Sequence, residues 1–187
     1  MAKAVLTISS KNYGAWALRG WLMCKFAGLD FSEMVIPPDD PAMKAEMLLL
    51  SSSMLVPALE HDGIEVWDTL AIGEYLNEIK PKAGLLPADR KARAHCRAIC
   101  GEMHSGFASM RGALPMNIKA HYPDFKVWTG AQADINRVIE IWRECLEESG
   151  GPYLFGKLSM ADAMYAPVCT RFLTYDVNLD EIGRAHV

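Results

Sequence analysis

Two pairs of residues between Leu55 and Leu76 have the chemistry of a small binding site. Val56-Pro57 stands directly before two short apolar runs, and Asp68-Thr69 stands directly after them, where a helical pattern begins. A helix N-terminus carries partial positive charge that favours bound anions. We therefore predict that this span holds one end of a small acidic peptide. The acid and the hydroxyl could instead serve only to cap the helix.

The residues around these pairs alternate strand and helix signals. Apolar and β-branched residues favour strands at 4–9 and 31–36, and in "PALEH" and "IEVW", which an Asp-Gly turn joins into a hairpin. Helical spacing favours helices in "AWALRGWLMCKFAG", which ends at Gly28, in "PAMKAEMLLL", and in "TLAIGEYLNEIK". The order β-α-β-α-β-β-α predicts an α/β, thioredoxin-like domain over residues 1–80, with helices on both faces of a mixed sheet.

The second half of the chain has almost no strand signal. Residues 81–88 contain Pro81, Gly84 and Pro87 and are interpreted as a linker. Residues 89–187 are predicted to form an all-α domain from three helical segments, one of which includes "EMHSGFASMR". The last helix begins with "SMAD", where Ser159 and Asp162 have the spacing of a capping box.

Composition excludes several classes of protein. The 187 residues carry a net charge of −4 and their basic residues are scattered, so no nucleic-acid partner is expected. No apolar run is long enough to cross a membrane, and we expect a cytoplasmic location without a membrane partner. The five cysteines have neither a disulfide framework nor a Cys-x-x-Cys pair, and no metal site is predicted.

The order of these features resembles the cytosolic glutathione transferase family, in particular its bacterial serine-type and zeta-like members. Four segments carry the resemblance and together span nearly the whole chain: "SSKNYGAWALRGWL", "VPALEHDGIEVWDTLAIGEYL", "EMHSGFASMRGALPMNI" and "LFGKLSMADAMYAPVCTRFLTY". The resemblance implies that glutathione is a co-substrate, that a small hydrophobic electrophile is the second substrate, and that the protein is a homodimer.

The resemblance also implies roles for the two pairs. The proline that matches Pro57 is cis in the family, which would turn the backbone of Val56 towards the cysteinyl part of glutathione. Asp68 and Thr69 match the acid and hydroxyl that open a helix and receive the γ-glutamyl group. Thr69 would contact its α-carboxylate, and Asp68 would bear on its ammonium or on helix capping.

The position that activates the thiol departs from the family pattern. Similar bacterial proteins have Asn-Tyr-Ser-Ser-Trp where this chain has "NYGAW". Asn12 aligns with the first serine of zeta-like members and is the first candidate to hydrogen-bond the thiolate. Ser10 and Tyr13 are further candidates, although Tyr13 could be a packed aromatic residue. Backbone N–H groups around Gly14 could also donate.

The resemblance places the electrophile pocket along "EMHSGFASMR". One continuous helix would carry Met103, His104, Phe107, Met110 and Arg111 on two adjacent faces. We predict that His104, Phe107 and Arg111 line the pocket. A stripe of methionine and aromatic residues can equally be core, and His104 can equally belong to an interface.

The end of the chain differs from the family. Family members usually continue for several tens of residues beyond the "TRFLTY" helix, whereas this chain stops at "NLDEIGRAHV". We interpret the helical domain as incomplete and "EIGRAHV" as foreign to the native sequence. A short family member with a frayed tail is the alternative.

The resulting hypothesis is a glutathione transferase acting on small hydrophobic electrophiles. A glutathione-dependent isomerase of the maleylacetoacetate kind and a peroxidase are alternatives within the same fold. A non-catalytic glutathione-binding module is a further alternative, which the absence of the paired serines favours.

Overall fold

The computed structural model describes residues 4–36 and 55–179. It divides the chain into two compact units, Met1–Leu85 and Leu86–Val187. The helix expected in "PAMKAEMLLL" and the tail "EIGRAHV" lie outside the described residues.

The first unit is built on a four-stranded mixed sheet. Its strands are β1 (Ala4–Ile8), β2 (Ser32–Val35), β3 (Ala58–His61) and β4 (Ile64–Trp67), in the order β2-β1-β3-β4. β1 pairs parallel with β2 and antiparallel with β3, and β3 forms a hairpin with β4. Asp62 and Gly63 both have positive φ, which matches a two-residue hairpin turn.

Two described helices pack against each other in this unit. They are α1 (Ala15–Phe26) and α2 (Thr69–Ile79). Gly28 follows α1 in the left-handed conformation, and α2 ends before Pro81, as predicted. Fully or almost fully buried apolar side chains form the core, among them Leu6, Ile8, Met23, Leu59, Ile72 and Leu76. The predicted thioredoxin-like arrangement is confirmed.

The second unit is helical. A 3₁₀ turn at Pro81–Ala83 precedes it, and its helices are α3 (Arg90–Ser105), α4 (Ala108–Ala113), α5 (Thr129–Ser149) and α6 (Met160–Thr174). Its core is formed by large side chains from all four helices, including Met103, Met110, Trp142, Tyr165 and Phe172. Within residues 4–36 and 55–179, no helix is long and apolar enough to cross a membrane.

The prediction of one continuous helix through "EMHSGFASMR" was wrong. α3 ends at Ser105, Gly106 is extended, and Phe107 is left-handed with φ of 58° before α4 begins. The Phe107 side chain is buried, and the N–H of Met110 in the new helix donates to Asp134 Oδ2 at 2.9 Å. Tertiary packing and this contact from α5 therefore stabilise a break that helical periodicity alone does not indicate.

Candidate functional site

The register of the sheet brings the predicted site segments of the first unit to one end. Ala58 pairs with Trp67, so the residues before β3 and after β4 leave the hairpin side by side. Thr7 pairs with Ala58, which places the carboxyl end of β1 at the same edge. The β1–α1 loop, Val56-Pro57 and Asp68-Thr69 are therefore neighbours, although they are far apart in sequence.

Val56-Pro57 presents an extended backbone segment at this edge. The peptide bond is cis, as predicted. Pro57 is buried. A Cβ atom at Gly20 of α1 would lie only 2.9 Å from the Pro57 Cγ. The absence of a side chain at Gly20 therefore lets α1 pack closely on the proline ring. Val56 makes no backbone hydrogen bond to any other residue that the structure describes. A peptide lying alongside could pair with its N–H and C=O as an added strand does.

Asp68 is the N-cap of α2. Its Oδ1 accepts a hydrogen bond from the N–H of Leu70 at 2.8 Å, and its carbonyl accepts one from Ile72 at 2.9 Å. Its φ of 74° is uncommon for a non-glycine residue and directs the chain sharply from β4 into the helix. The capping role considered from the sequence is therefore present.

The hydroxyl of Thr69 lies in the first turn of α2 and has an unusual environment. Thr69 is 1% exposed, and its Oγ1 has no hydrogen-bond partner among the described residues. A buried polar group without a partner costs about 1–3 kcal/mol. A carboxylate at the start of α2 would accept from this hydroxyl and from the backbone N–H of Thr69, so the geometry fits the anionic end of a ligand.

The three thiol-activating candidates lie in the loop between β1 and α1. Ser10 and Asn12 are half-buried, whereas Tyr13 is 66% exposed. The Oγ of Ser10 accepts hydrogen bonds from the N–H groups of Asn12 at 3.2 Å and of Tyr13 at 3.1 Å. Two backbone donors of this loop are thus engaged inside the loop itself.

Gly14, the N-cap of α1, lies where there is little space for a side chain. A Cβ atom there would lie 2.5 Å from the carbonyl oxygen of Ser10 and 2.9 Å from the Cβ of Ala17. A serine at this position would have to displace backbone atoms. The observed path of the loop therefore does not accommodate a side chain at position 14 without a shift.

A cavity of about 200 Å³ lies beside the same loop, with mostly apolar walls formed by Ile8, Ser10, Lys11, Ala17, Leu18, Trp21 and Glu33. The carboxylate of Glu33 pairs with Lys11 and accepts from the Trp21 indole N–H at 2.7 Å. The hydrogen bonds from Lys11 and then Trp21 lower the pKa of Glu33. Sequence reasoning missed Glu33, because its partners come from a loop and a helix that spacing alone does not bring to β2.

The predicted electrophile-pocket residues lie in the second unit. The Arg111 Nη1 donates to the carbonyl of His104 at 3.3 Å, and Phe107 is buried. Arg171, which is not one of the predicted pocket residues, is buried and donates from Nε to the Leu114 carbonyl at 2.7 Å. Burial, with a smaller effect of Arg111, lowers the Arg171 pKa to about 10. A role for these residues in electrophile binding stays a prediction.

Cysteines and metal ligands contribute little to the described site. Four of the cysteines are buried and Cys169 is half-buried, and none forms a disulfide. Burial raises the pKa of Cys24 to about 12, which keeps its thiol protonated and unreactive at neutral pH. The described part of the chain contains no group of three or more side chains able to hold a metal ion.

Comparison with protein families gives two matches that cover most of the chain. Residues 13–79 match the family model described as "Glutathione S-transferase, N-terminal domain". Residues 90–185 match the model described as "Glutathione S-transferase, C-terminal domain". The two matches follow the division into an α/β unit and a helical unit.

Individual proteins give the same result. Maleylacetoacetate isomerase from Rattus norvegicus is 30% identical over 181 residues, which are 95% of this chain and 82% of the relative. A glutathione transferase homolog from Burkholderia, crystallised with bound glutathione, has a TM-score of 0.70 at 23% identity, covering 98% of this chain and 88% of that one. Maleylacetoacetate isomerase from Anaeromyxobacter dehalogenans has a TM-score of 0.67 at 20% identity, and the match covers 100% of this chain and 84% of that one. At these identities the two structures support the fold.

Proposed function

The chain belongs to the glutathione S-transferase family, and from that premise we propose that it binds glutathione and transfers its thiolate to small hydrophobic electrophiles. The observation that carries the proposal is the buried hydroxyl of Thr69, which has no hydrogen-bond partner in the described part of the chain and lies at the start of α2, at the same end of the sheet as Val56-Pro57. An anionic end and an extended backbone are the two features of glutathione that these groups recognise.

In this proposal, the two pairs bind different parts of glutathione. Val56 exchanges backbone hydrogen bonds with the cysteinyl residue. The hydroxyl and backbone N–H of Thr69 hold the γ-glutamyl carboxylate, which the partial positive charge of the helix N-terminus attracts. Asp68 caps α2 through Oδ1, and its negative charge stabilises the glutamyl ammonium.

The chemical requirement is a glutathione thiolate at neutral pH. A free thiol has a pKa of about 8.5 and is mostly protonated under these conditions. In the proposed mechanism, the side-chain amide of Asn12 donates a hydrogen bond to the sulfur, and the N-terminus of α1 adds favourable charge. Both effects stabilise the anion and lower its pKa. The thiolate then attacks the electrophile.

The relatives support a second candidate within the same chemistry. The rat protein that matches 95% of this chain is named maleylacetoacetate isomerase. An isomerase needs the same thiolate but returns glutathione unchanged, whereas a transferase consumes it. Following free glutathione during turnover separates the two activities. Binding without turnover of any electrophile or peroxide would instead identify a non-catalytic module.

We also propose a cytoplasmic homodimer that acts in detoxification. The family resemblance supports both the location and the assembly, and cytosolic oligomers are most often two-fold symmetric dimers. Sedimentation at micromolar concentration tests the assembly. A single species with the mass of one chain would contradict the dimer.

The binding mode is tested by replacing Thr69 with valine, which keeps the shape and removes the hydroxyl. A hydrogen bond to a charged group contributes about 1.5–3 kcal/mol, so the Kd for glutathione should rise about tenfold or more in calorimetry. Thr69→Ser is the matched control and should bind like the parent. Equal affinity of the parent and Thr69→Val would contradict the assignment.

A further inference from the structure

The hydroxyl of Ser10 bonds to the backbone of the loop that joins β1 to α1. Its Oγ accepts the N–H of Asn12 at 3.2 Å and the N–H of Tyr13 at 3.1 Å. Serine side chains form such turns by bonding to backbone groups two or three residues ahead. Here the turn encloses Asn12, the candidate thiolate donor.

Other contacts make the same loop compact. The N–H of Ala15 donates to the Tyr13 carbonyl at 3.1 Å. The Ser10 carbonyl lies where a Cβ atom at Gly14 would be only 2.5 Å away. Lys11 pairs with Glu33 of β2, which ties the outer side of the loop to the sheet. The loop therefore has little room to adopt another backbone path while the Ser10 hydrogen bonds are present.

We propose that Ser10 is a positioning residue of the thiol site rather than a donor to the sulfur. Its hydroxyl fixes the backbone of Asn12 and Tyr13, and this fixes the direction of the Asn12 side-chain amide. The two backbone N–H groups that it engages are not donors to a thiolate. The inference rests on the proposed function, because it requires Asn12 to act on bound glutathione.

The first test measures the turn without glutathione. In Ser10→Ala, amide hydrogen exchange at Asn12 and Tyr13 should be at least about fivefold faster, as expected for the loss of a typical hydrogen bond. Ser10→Thr keeps an acceptor and should exchange like the parent. Ser9→Ala, which removes the adjacent hydroxyl, is the matched control and should also be unchanged. Unchanged exchange in Ser10→Ala would overturn the inference.

The second test measures the thiol pKa of bound glutathione by thiolate absorbance. Ser10→Ala should raise this pKa by about one unit, equivalent to one misplaced hydrogen bond, and Ser10→Thr should restore it. Faster exchange with an unchanged thiol pKa would show a purely structural role and overturn the proposal. If Ser10→Ala does not fold, Ser10→Cys, whose sulfur is a weak acceptor, should shift both readouts in the same direction.

The outcomes also separate this inference from the proposed function. A parent protein that binds and ionises glutathione, together with a Ser10→Ala variant that does so equally well, overturns only the role of Ser10. A parent protein that binds no glutathione overturns both.

Discussion

At the scale of single residues, Asp68 combines a structural requirement with a proposed binding role. Its Oδ1 caps α2 through the N–H of Leu70, so the capping interpretation of the sequence is correct. Capping holds the carboxylate charge of Asp68 at the helix start. The sequence predicted both roles because acid-hydroxyl pairs occur at helix N-termini for either reason. The Thr69 hydroxyl, which has no partner among residues 4–36 and 55–179, favours a ligand.

The side-chain amide of Asn12 is the proposed hydrogen-bond donor to the thiolate. In Asn12→Ala, the pKa of the bound thiol should rise because the thiolate loses a hydrogen bond of about 1–3 kcal/mol, while the affinity for glutathione should stay nearly unchanged. Tyr13→Phe is the control, since Tyr13 is 66% exposed and its phenol is expected to contribute little. Thiolate titrations of the three proteins decide the assignment. A parent-like titration of Asn12→Ala with an upward shift in Tyr13→Phe would transfer the role to Tyr13.

Gly14 shows what the sequence alone could not predict at this scale. From the sequence, restoring a serine at position 14 is a reasonable way to supply a hydroxyl. The structure places the Ser10 carbonyl 2.5 Å from the Cβ that such a serine would carry. This distance depends on the backbone conformation of the loop between β1 and α1, which the residue types alone do not determine.

At the scale of elements, the start of α6 was predictable from local spacing. The capping box of Ser159 and Asp162 is present, and Asp162 Oδ2 accepts the Ser159 N–H at 2.8 Å. The structure adds a contact that spacing does not indicate: Asp162 Oδ1 accepts the N–H of Leu154 at 3.0 Å, and both residues are buried. Asp162 therefore anchors the preceding loop as well as the helix.

This difference gives a stability prediction. Ser159→Ala should lower the free energy of unfolding by about 0.5–2 kcal/mol, the usual effect of losing a cap. Asp162→Ala should cost about 1–3 kcal/mol more, because it also leaves a buried N–H of Leu154 without its partner. Urea unfolding of both variants measures the difference, with Asp162→Asn as the control that keeps one side-chain acceptor. Equal losses in the two alanine variants would contradict the anchoring role.

The contacts of Glu33 between β2, α1 and the β1–α1 loop predict a pH dependence. Lys11, and then Trp21, lower the pKa of Glu33 from its ordinary value of 4.5 in the folded protein. A carboxylate with a depressed folded pKa stabilises the fold above its unfolded pKa, and this contribution is lost as the pH falls through the folded value. Glu33→Gln should therefore lose less stability than the parent below about pH 4.5.

Thermal unfolding from neutral to acidic pH tests the role of Glu33. Glu60→Gln on the neighbouring strand β3 is the matched control, because it changes a charge on an exposed residue. The thermal stability of Glu33→Gln should fall less on acidification than that of the parent. The stability of Glu60→Gln should fall as much as that of the parent. A Glu33→Gln profile parallel to that of the parent would contradict the prediction.

At the scale of the whole molecule, the architecture followed from the sequence more completely than the site did. Alternating strand and helix signals, the Asp62-Gly63 turn and the later helical periodicity predicted an α/β unit followed by a helical unit, as observed. The break at Phe107 and the contacts of Glu33 were not predictable, because side chains from distant segments stabilise them. The periodicity of apolar residues indicates which face of one helix or strand is buried. The break at Phe107 and the contacts of Glu33 depend instead on residues of other elements, which only the folded chain brings close.

The central claim is that this molecule binds glutathione and ionises its thiol. The most direct test is a pH titration of the ultraviolet absorbance of the protein–glutathione complex, because the thiolate absorbs and the thiol does not. We expect a thiolate signal that titrates with a pKa well below the value of about 8.5 of a free thiol. A complex whose thiol titrates like free glutathione, or a protein that forms no complex, would contradict the claim.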